Sequence, residues 1–200
     1  MTAEPGDLDA AVLVGHATRL PGKFDRVLNG RSVLDRVVGA VREAGFRPTI
    51  VAVPGARPES ASVLVDRYDR GPLGAVRTIL ERNAGPFLLV GGDMPFVRPA
   101  DLRRLRDLYR RGTSVVPRRT DGTFEVLLAI YDLSLEQVVR CWTGGRSLQT
   151  LVSEAAEAGA VDPVPVEGFD PASFVDLDTP EDFARWSREA PREGAQKPSD

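Results

Sequence analysis

Two stretches of this chain carry residue types that could do chemistry. In Pro86 to Phe96, PFLLVGGDMPF, an apolar run stops at two glycines and then presents one carboxylate, Asp93. An uninterrupted apolar run reads as a strand buried on both faces of a parallel sheet, and ligands of such sheets gather at the strands' carboxyl ends. Asp93 stands at such an end; it is equally placed to be a turn aspartate capping a helix that begins near Pro99. The second stretch, Gly15-His16-Ala17-Thr18-Arg19-Leu20-Pro21-Gly22-Lys23, leaves an earlier strand. Its small residues let backbone N–H groups lie against phosphates, while Arg19 and Lys23 supply the positive charge a triphosphate requires. It is not a P-loop, because Phe24 rather than Ser or Thr follows the Gly-Lys, and it is not GxGxxG.

Composition removes several alternatives. The only cysteine, Cys141, makes no intrachain disulfide, and with the lone His16 it builds no conventional zinc site; a Ser-His-Asp hydrolase would have to use His16. A net charge of -3 argues against general nucleic-acid binding, which rests on phosphate neutralisation. No stretch is a membrane span, and the acidic start MTAEPGDLDA lacks the order of a signal peptide, so a cytoplasmic protein is expected. Leu102 to Arg119 is rich in arginine, yet the chain has only two lysines, Lys23 and Lys197. Nearly every basic residue is arginine, so the cluster reads as a solvated helix face, and Lys23 stands out as the only lysine of the folded body.

The elements that must position these residues alternate. Strands are expected at Leu8 to Val14, Thr49 to Val53, Ala61 to Val65 and Phe87 onward, with helices at Ser32 to Ala44, Pro72 to Arg82 and Pro99 to Arg111. The second half is mixed. Strands fall at Ser114 to Pro117, Glu125 to Tyr131 and Ala160 to Val166, an apolar run covers Phe174 to Leu177, and helices cover Ser134 to Cys141, Ser147 to Ala158 and Pro180 to Arg188. The pattern predicts one doubly wound α/β domain over residues 1–190, with a mostly parallel, mixed sheet and a disordered polar tail over 191–200. Trp142 and Trp186 read as packing residues rather than a platform for a flat ligand.

LVGHATRLPGK, with Leu28 to Arg31 after it, resembles a worn form of LxGGxSxRMGxxK, the signature of the nucleotidyltransferases that include MobA-type molybdenum cofactor guanylyltransferase. Asp66 before Gly71-Pro72-Leu73-Gly74, then GGDMPF, then Glu125 to Tyr131 resembling EPLxALY, then FVDLDTPEDF resembling N-[IV]-N-T-P-E-D-L follow in the family's order from about residue 10 to 188. The resemblance implies a Rossmann-like sheet of the nucleotide-diphospho-sugar transferase type. It implies backbone contacts from Leu13, Val14 and Gly15 to a purine nucleotide, with His16, Asp66, Gly71, Pro72 and Leu73 also at the nucleotide. Arg19 and Lys23 would hold phosphates, and Asp93 and Asp178 would ligate Mg²⁺. The implied reaction joins GMP from GTP to molybdopterin and releases pyrophosphate, with Arg19, Lys23 and Asp93 as catalytic residues and a molybdoenzyme or cofactor chaperone as partner. Another nucleotidyltransferase of this fold, acting on a cytidine nucleotide or a sugar phosphate, and a noncatalytic nucleotide- or partner-binding relative stay open.

The departures concentrate in the loop. His16 replaces the second glycine, Leu20-Pro21 replaces Met-Gly, Gly22 replaces an aspartate, and Pro54 stands where many relatives put a nucleoside-contacting asparagine. An imidazole in place of glycine either obstructs the nucleotide or is recruited to it as a donor. Bland readings stand beside three positions: Asp178 and Thr179 as caps of the last helix, Asp66 as a strand-end turn residue, and Gly71 to Gly74 as a plain turn into a helix.

Overall fold

The computed structural model describes residues 8–53, 62–82, 85–140 and 147–189. Pro54, Cys141, Trp142 and the tail over 191–200 lie outside the described residues. In chain order the elements are β1 (Asp9–Val14), β2 (Val27–Leu28), β3 (Arg31–Ser32), α1 (Val33–Glu43), β4 (Arg47–Ala52), β5 (Ser62–Val65), α2 (Gly71–Leu80), β6 (Phe87–Gly91) and α3 (Pro99–Leu108). Then come β7 (Ser114–Arg118), β8 (Leu128–Tyr131), α4 (Leu135–Arg140), α5 (Leu148–Glu157), β9 (Val161–Pro165) and α6 (Pro180–Glu189), with 3₁₀ turns at Val166–Gly168 and Pro171–Phe174.

Seven strands form one sheet in the order β5-β4-β1-β6-β8-β7-β9. β5, β4, β1 and β6 are parallel, β8 is antiparallel to both its neighbours, and β9 is parallel to β7. Helices cover both faces, so the predicted doubly wound, mixed sheet is what forms. The apolar run of β6 follows from this: Leu88 and Val90 enter the core with α1 and α3, while Phe87 and Leu89 enter the core with α2, α4 and α5. Side chains alternate along a strand, and a strand covered on both faces needs apolar residues at every position.

Helix starts follow local chemistry. The Ser32 hydroxyl accepts the Asp35 N–H at 3.0 Å and opens α1, Pro72 and Pro99 sit in the first turns of α2 and α3, and Ser147 caps α5. The arginines of α3 have structural work, as their reading as a helix face requires. Arg103 and Arg106 donate to the carbonyls of Glu43 and Ala44 at the end of α1, and the Arg104 and Arg106 guanidinium groups lie over the rings of Phe169 and Phe46.

Four expectations shift. α3 stops at Leu108 rather than Arg111, because the Tyr109 hydroxyl reaches buried Asp132 and the chain turns at Gly112, which has φ 94° and whose N–H also reaches Asp132. The strand expected from Glu125 begins only at Leu128, since the Leu128 N–H closes a turn onto the Glu125 carbonyl. Phe174 to Leu177 joins no ladder; the Val175 N–H closes the 3₁₀ turn onto the Ala172 carbonyl at 3.1 Å, and the Leu177 N–H donates to the Asp93 carbonyl at 3.0 Å. The hairpin of β2 and β3 was unexpected, although Asn29-Gly30, with φ 48° and 82°, is a standard two-residue hairpin turn. Among the described residues no helix is long and apolar enough to cross a membrane.

Asp132 ties the end of β8 to two loops by accepting from Tyr109, Gly112 and Ser134. Burial pushes its carboxyl up, but those three donors outweigh burial and hold it below the ordinary aspartate value. A depressed carboxylate stabilises fully above the unfolded-state value near 3.9 and loses that stabilisation as pH falls through the folded one. Asp132→Asn is therefore expected to cost about 2 kcal/mol at pH 7. In chemical denaturation the gap to wild type should narrow below about pH 4.

Candidate active site

The carboxyl ends of β1 and β6 are drawn together by the two glycines that follow Val90. Gly92 N–H donates to the Leu13 carbonyl at 2.8 Å, and a Cβ on Gly92 would sit 2.6 Å from that oxygen. A Cβ on Gly91 would sit 2.8 Å from Asp93 Oδ1. Glycine is thus required at Gly92, where the obstruction is backbone, while at Gly91 a Cβ would push the Asp93 carboxylate out of place. Asp93 does not cap α3: that position belongs to Arg98, whose N–H donates to Ser173 Oγ at 3.0 Å.

The loop after β1 brings a cation to this carboxylate. Leu20 is buried and anchors the loop, Lys23 N–H donates to its carbonyl at 3.1 Å, and Gly22 makes the turn with φ 67°. Lys23 is buried, and its Nζ donates to Asp93 Oδ2 at 2.6 Å and to Asp178 Oδ1 at 2.9 Å. Burial pulls the ammonium's pKa down, but the charges and hydrogen bonds of Asp93 and Asp178 win and hold it above the ordinary lysine value. Arg19 stands at the exposed rim, 3.5 Å from Asp178 Oδ2.

Asp178 is available because its neighbour caps the helix. Thr179 Oγ1 accepts the Asp182 N–H at 3.1 Å, Asp182 accepts the Thr179 N–H, and the pair closes the start of α6. Asp176, two residues earlier, escaped the sequence reading. Desolvation first, then the charges of Asp178 and Asp93, hold its carboxyl above the ordinary value, with Lys23 partly offsetting them. The residue is exposed, and the carboxylates of Asp178 and Asp93 stand beside it. The signal was present in FVDLD, where alternate carboxylates flank a buried leucine.

A cleft of about 310 Å³ opens beside this cluster, lined by Leu13, Val14, Gly15, His16, Lys23, Asp66, Gly71, Pro72 and Asp93 among others. Leu73, expected there, does not line it: its side chain is buried in the core beneath α2. Asp66 has the partners of a strand-end turn residue and a place on the cleft wall. Its Oδ1 accepts from Thr78 Oγ1 at 2.9 Å and from the Tyr68 N–H at 3.0 Å, which makes a strand-end turn, and the residue also lines the cleft. A second cleft of about 210 Å³, polar in character, is lined by Arg19, Asp178, His16 and Lys23 with Ala17, Thr18 and Leu20. Trp186 packs on Phe96 with ring centroids 4.7 Å apart, as expected of a packing residue.

Among the described residues no group of three or more His, Cys, Asp or Glu side chains stands ready to hold a metal. Two carboxylates do converge on a cation, and hard oxygens in that number suit Mg²⁺, which completes its shell with water and substrate phosphates.

A mixed, mostly parallel sheet with a strand-end cleft, a basic loop and paired carboxylates defines an α/β domain of the nucleotide-handling class. Residues 10–159 match the MobA-like NTP transferase domain, and the chain belongs to that family and is a nucleotidyltransferase. The molybdenum cofactor guanylyltransferase of Xanthomonas euvesicatoria is 25% identical over 184 residues, spanning 90% of this chain and 94% of that one. The 2-phospho-L-lactate guanylyltransferase of Methanoregula boonei is 28% identical over 112 residues, 54% of this chain and 51% of its own. The crystal structure of molybdopterin-guanine dinucleotide biosynthesis protein A from Archaeoglobus fulgidus matches with a TM-score of 0.70 at 25% identity, covering 91% of this chain and 98% of that one.

The glycines give a contrast. Gly92→Ala forces a backbone clash and is expected to cost about 1–3 kcal/mol of stability. Gly15, with no protein atom near its absent Cβ, should tolerate alanine with an unchanged melting temperature but weakened nucleotide binding. Thermal melts and calorimetry on both variants check this.

Proposed function

We propose that this nucleotidyltransferase is a molybdenum cofactor guanylyltransferase, which transfers GMP from GTP to molybdopterin and releases pyrophosphate. The observation that carries the reading is the Lys23 ammonium held between Asp93 and Asp178 where the two clefts meet. The larger cleft suits a nucleoside, and the smaller one, with Arg19 and Lys23, suits the outer phosphates of a triphosphate. Whole-length similarity to a curated molybdenum cofactor guanylyltransferase supports the acceptor.

In this reading the phosphate of the acceptor attacks the α-phosphorus of GTP. A new phosphorus–oxygen bond forms, the bond to the bridging oxygen breaks, and pyrophosphate leaves with the electron pair. The phosphate nucleophile needs no side-chain base, so the chain's contribution is positioning and charge. Lys23 holds phosphate oxygens against the strand ends, Arg19 meets the leaving pyrophosphate at the rim, and the Leu13 to Gly15 backbone seats the nucleoside. Asp93 and Asp178 would hold Mg²⁺, which when bound neutralises the charge that builds on the leaving group. The Methanoregula relative favours a second reading with the same donor and another phosphorylated acceptor.

Calorimetry with GTP, ATP, CTP and UTP, each with Mg²⁺, tests the donor; GTP is expected to bind most tightly, and preference for another base overturns it. Pyrophosphate release with molybdopterin against 2-phospho-L-lactate tests the acceptor. In that assay Asp93→Asn should lower turnover roughly a hundredfold or more. Arg103→Ala, on the arginine-rich helix, should leave GTP affinity unchanged while Lys23→Ala and Arg19→Ala weaken it.

A further inference from the structure

The His16 imidazole is drawn neither into the Lys23 cluster nor away from the cleft. Its Nε2 lies 2.7 Å from Asp69 Oδ1, joining the loop after β1 to the loop before α2. β4 lies between β1 and β5 in the sheet, so the pair spans the carboxyl end of β4, where Val51 and Val53 line the larger cleft. Asp69 presents its carboxylate there from a left-handed backbone, φ 45°, which few residues other than glycine, asparagine and aspartate adopt readily. Both side chains are substantially exposed, so their mutual attraction contributes little to stability. What the contact does is orient the ring.

The position of the ring gives that orientation a use. Among the described residues, His16 and Lys23 are the two that line both clefts. A nucleotide with its nucleoside in the larger cleft and its outer phosphates in the smaller one places its α-phosphate at their junction. We propose that His16 is a phosphate-binding residue at this junction and that Asp69 is its positioning residue, the imidazole replacing the close backbone approach of the glycine found in the family pattern. This rests on the nucleotidyltransferase reading of the site and not on the choice of base or acceptor. With Nε2 engaged by Asp69, the second ring nitrogen meets the phosphate oxygen, and it donates when the ring holds both protons. The other ionisable groups facing the two clefts are Arg19, Lys23, Asp66, Asp93 and Asp178.

The test is calorimetry at pH 6 and pH 8 with the nucleoside triphosphate that the wild type binds best, together with its own monophosphate and nucleoside. His16→Ala should weaken the triphosphate and the monophosphate about tenfold at pH 6, the scale of one hydrogen bond to a charged group, and leave the nucleoside unchanged. His16→Gln should recover part of the loss and show a smaller difference between the two pH values than the wild type, since the other cleft groups and the nucleotide's own phosphates contribute equally to both proteins. Asp69→Ala should reproduce much of the loss and Asp69→Asn, which keeps an acceptor oxygen, less. The losses from His16→Ala and Asp69→Ala should not add in the double variant. Unchanged or tighter triphosphate binding by His16→Ala overturns the proposal, as does an equal loss for the nucleoside, which would put the ring on the base or sugar. A wild type that prefers a base other than guanine overturns the GTP reading and leaves His16 to be judged on that nucleotide. A triphosphate that binds His16→Gly but not the wild type marks the ring as an obstruction and overturns the proposal alone. Binding by neither overturns both.

Discussion

One buried ammonium holds the functional end of this molecule together. Lys23 Nζ bonds Asp93 and Asp178, residues separated from it by 70 and 155 positions, so three distant segments meet at a single charge. Removing a charged group from water is costly, and an ion pair of this kind persists only when its geometry is close and its partners are charged in return. Loss of the lysine would leave Asp93, Asp176 and Asp178 facing one another; desolvation first, and then that crowding, already hold the Asp176 carboxyl above its ordinary value.

Backbone contacts hold the cluster in register. Gly92 N–H ties β6 to the Leu13 carbonyl, and Leu177 N–H ties the last segment to the Asp93 carbonyl. Behind that segment lies a polar network: buried Asp101 of α3 accepts from Ser173 Oγ at 2.6 Å, Arg98 N–H donates to the same hydroxyl, and the Arg98 guanidinium pairs with Asp170 at 2.8 Å. The 3₁₀ turn that precedes Asp176 and Asp178 is thereby fastened to the start of α3, the helix that follows Asp93. Asp93 and Asp178, far apart in the sequence, so share one mount that fixes their charges in place.

Much of the architecture was legible because the local signals agree with one another. Apolar runs bounded by glycine and proline marked the strands, and Ser32, Pro72, Pro99 and Ser147 marked the helix starts. The errors fall where a long-range contact overrides the local pattern. α3 ends early because Asp132, on a distant strand end, takes the Tyr109 hydroxyl, and the strand before Tyr131 is shortened by a turn closed on Glu125. The Asn29-Gly30 hairpin was legible and was passed over as mere spacing.

For the site, the sequence by itself determined which residue types were available: Lys23, one of two lysines in an arginine-rich chain, a carboxylate after two glycines, and a basic loop after a strand. It was the resemblance of several motif blocks, in order, to the MobA-type family pattern that indicated a nucleotidyltransferase. Only the tertiary structure decided their partnerships. It gave Asp178 to Lys23 and the helix cap to Thr179, buried Leu73 in the core, added Asp176 to the carboxylates, and set His16 against Asp69. Spacing along a chain specifies local hydrogen bonds. The contacts that pair charges across 53, 70 or 155 residues depend on how the sheet orders its strands, and no local pattern encodes that order.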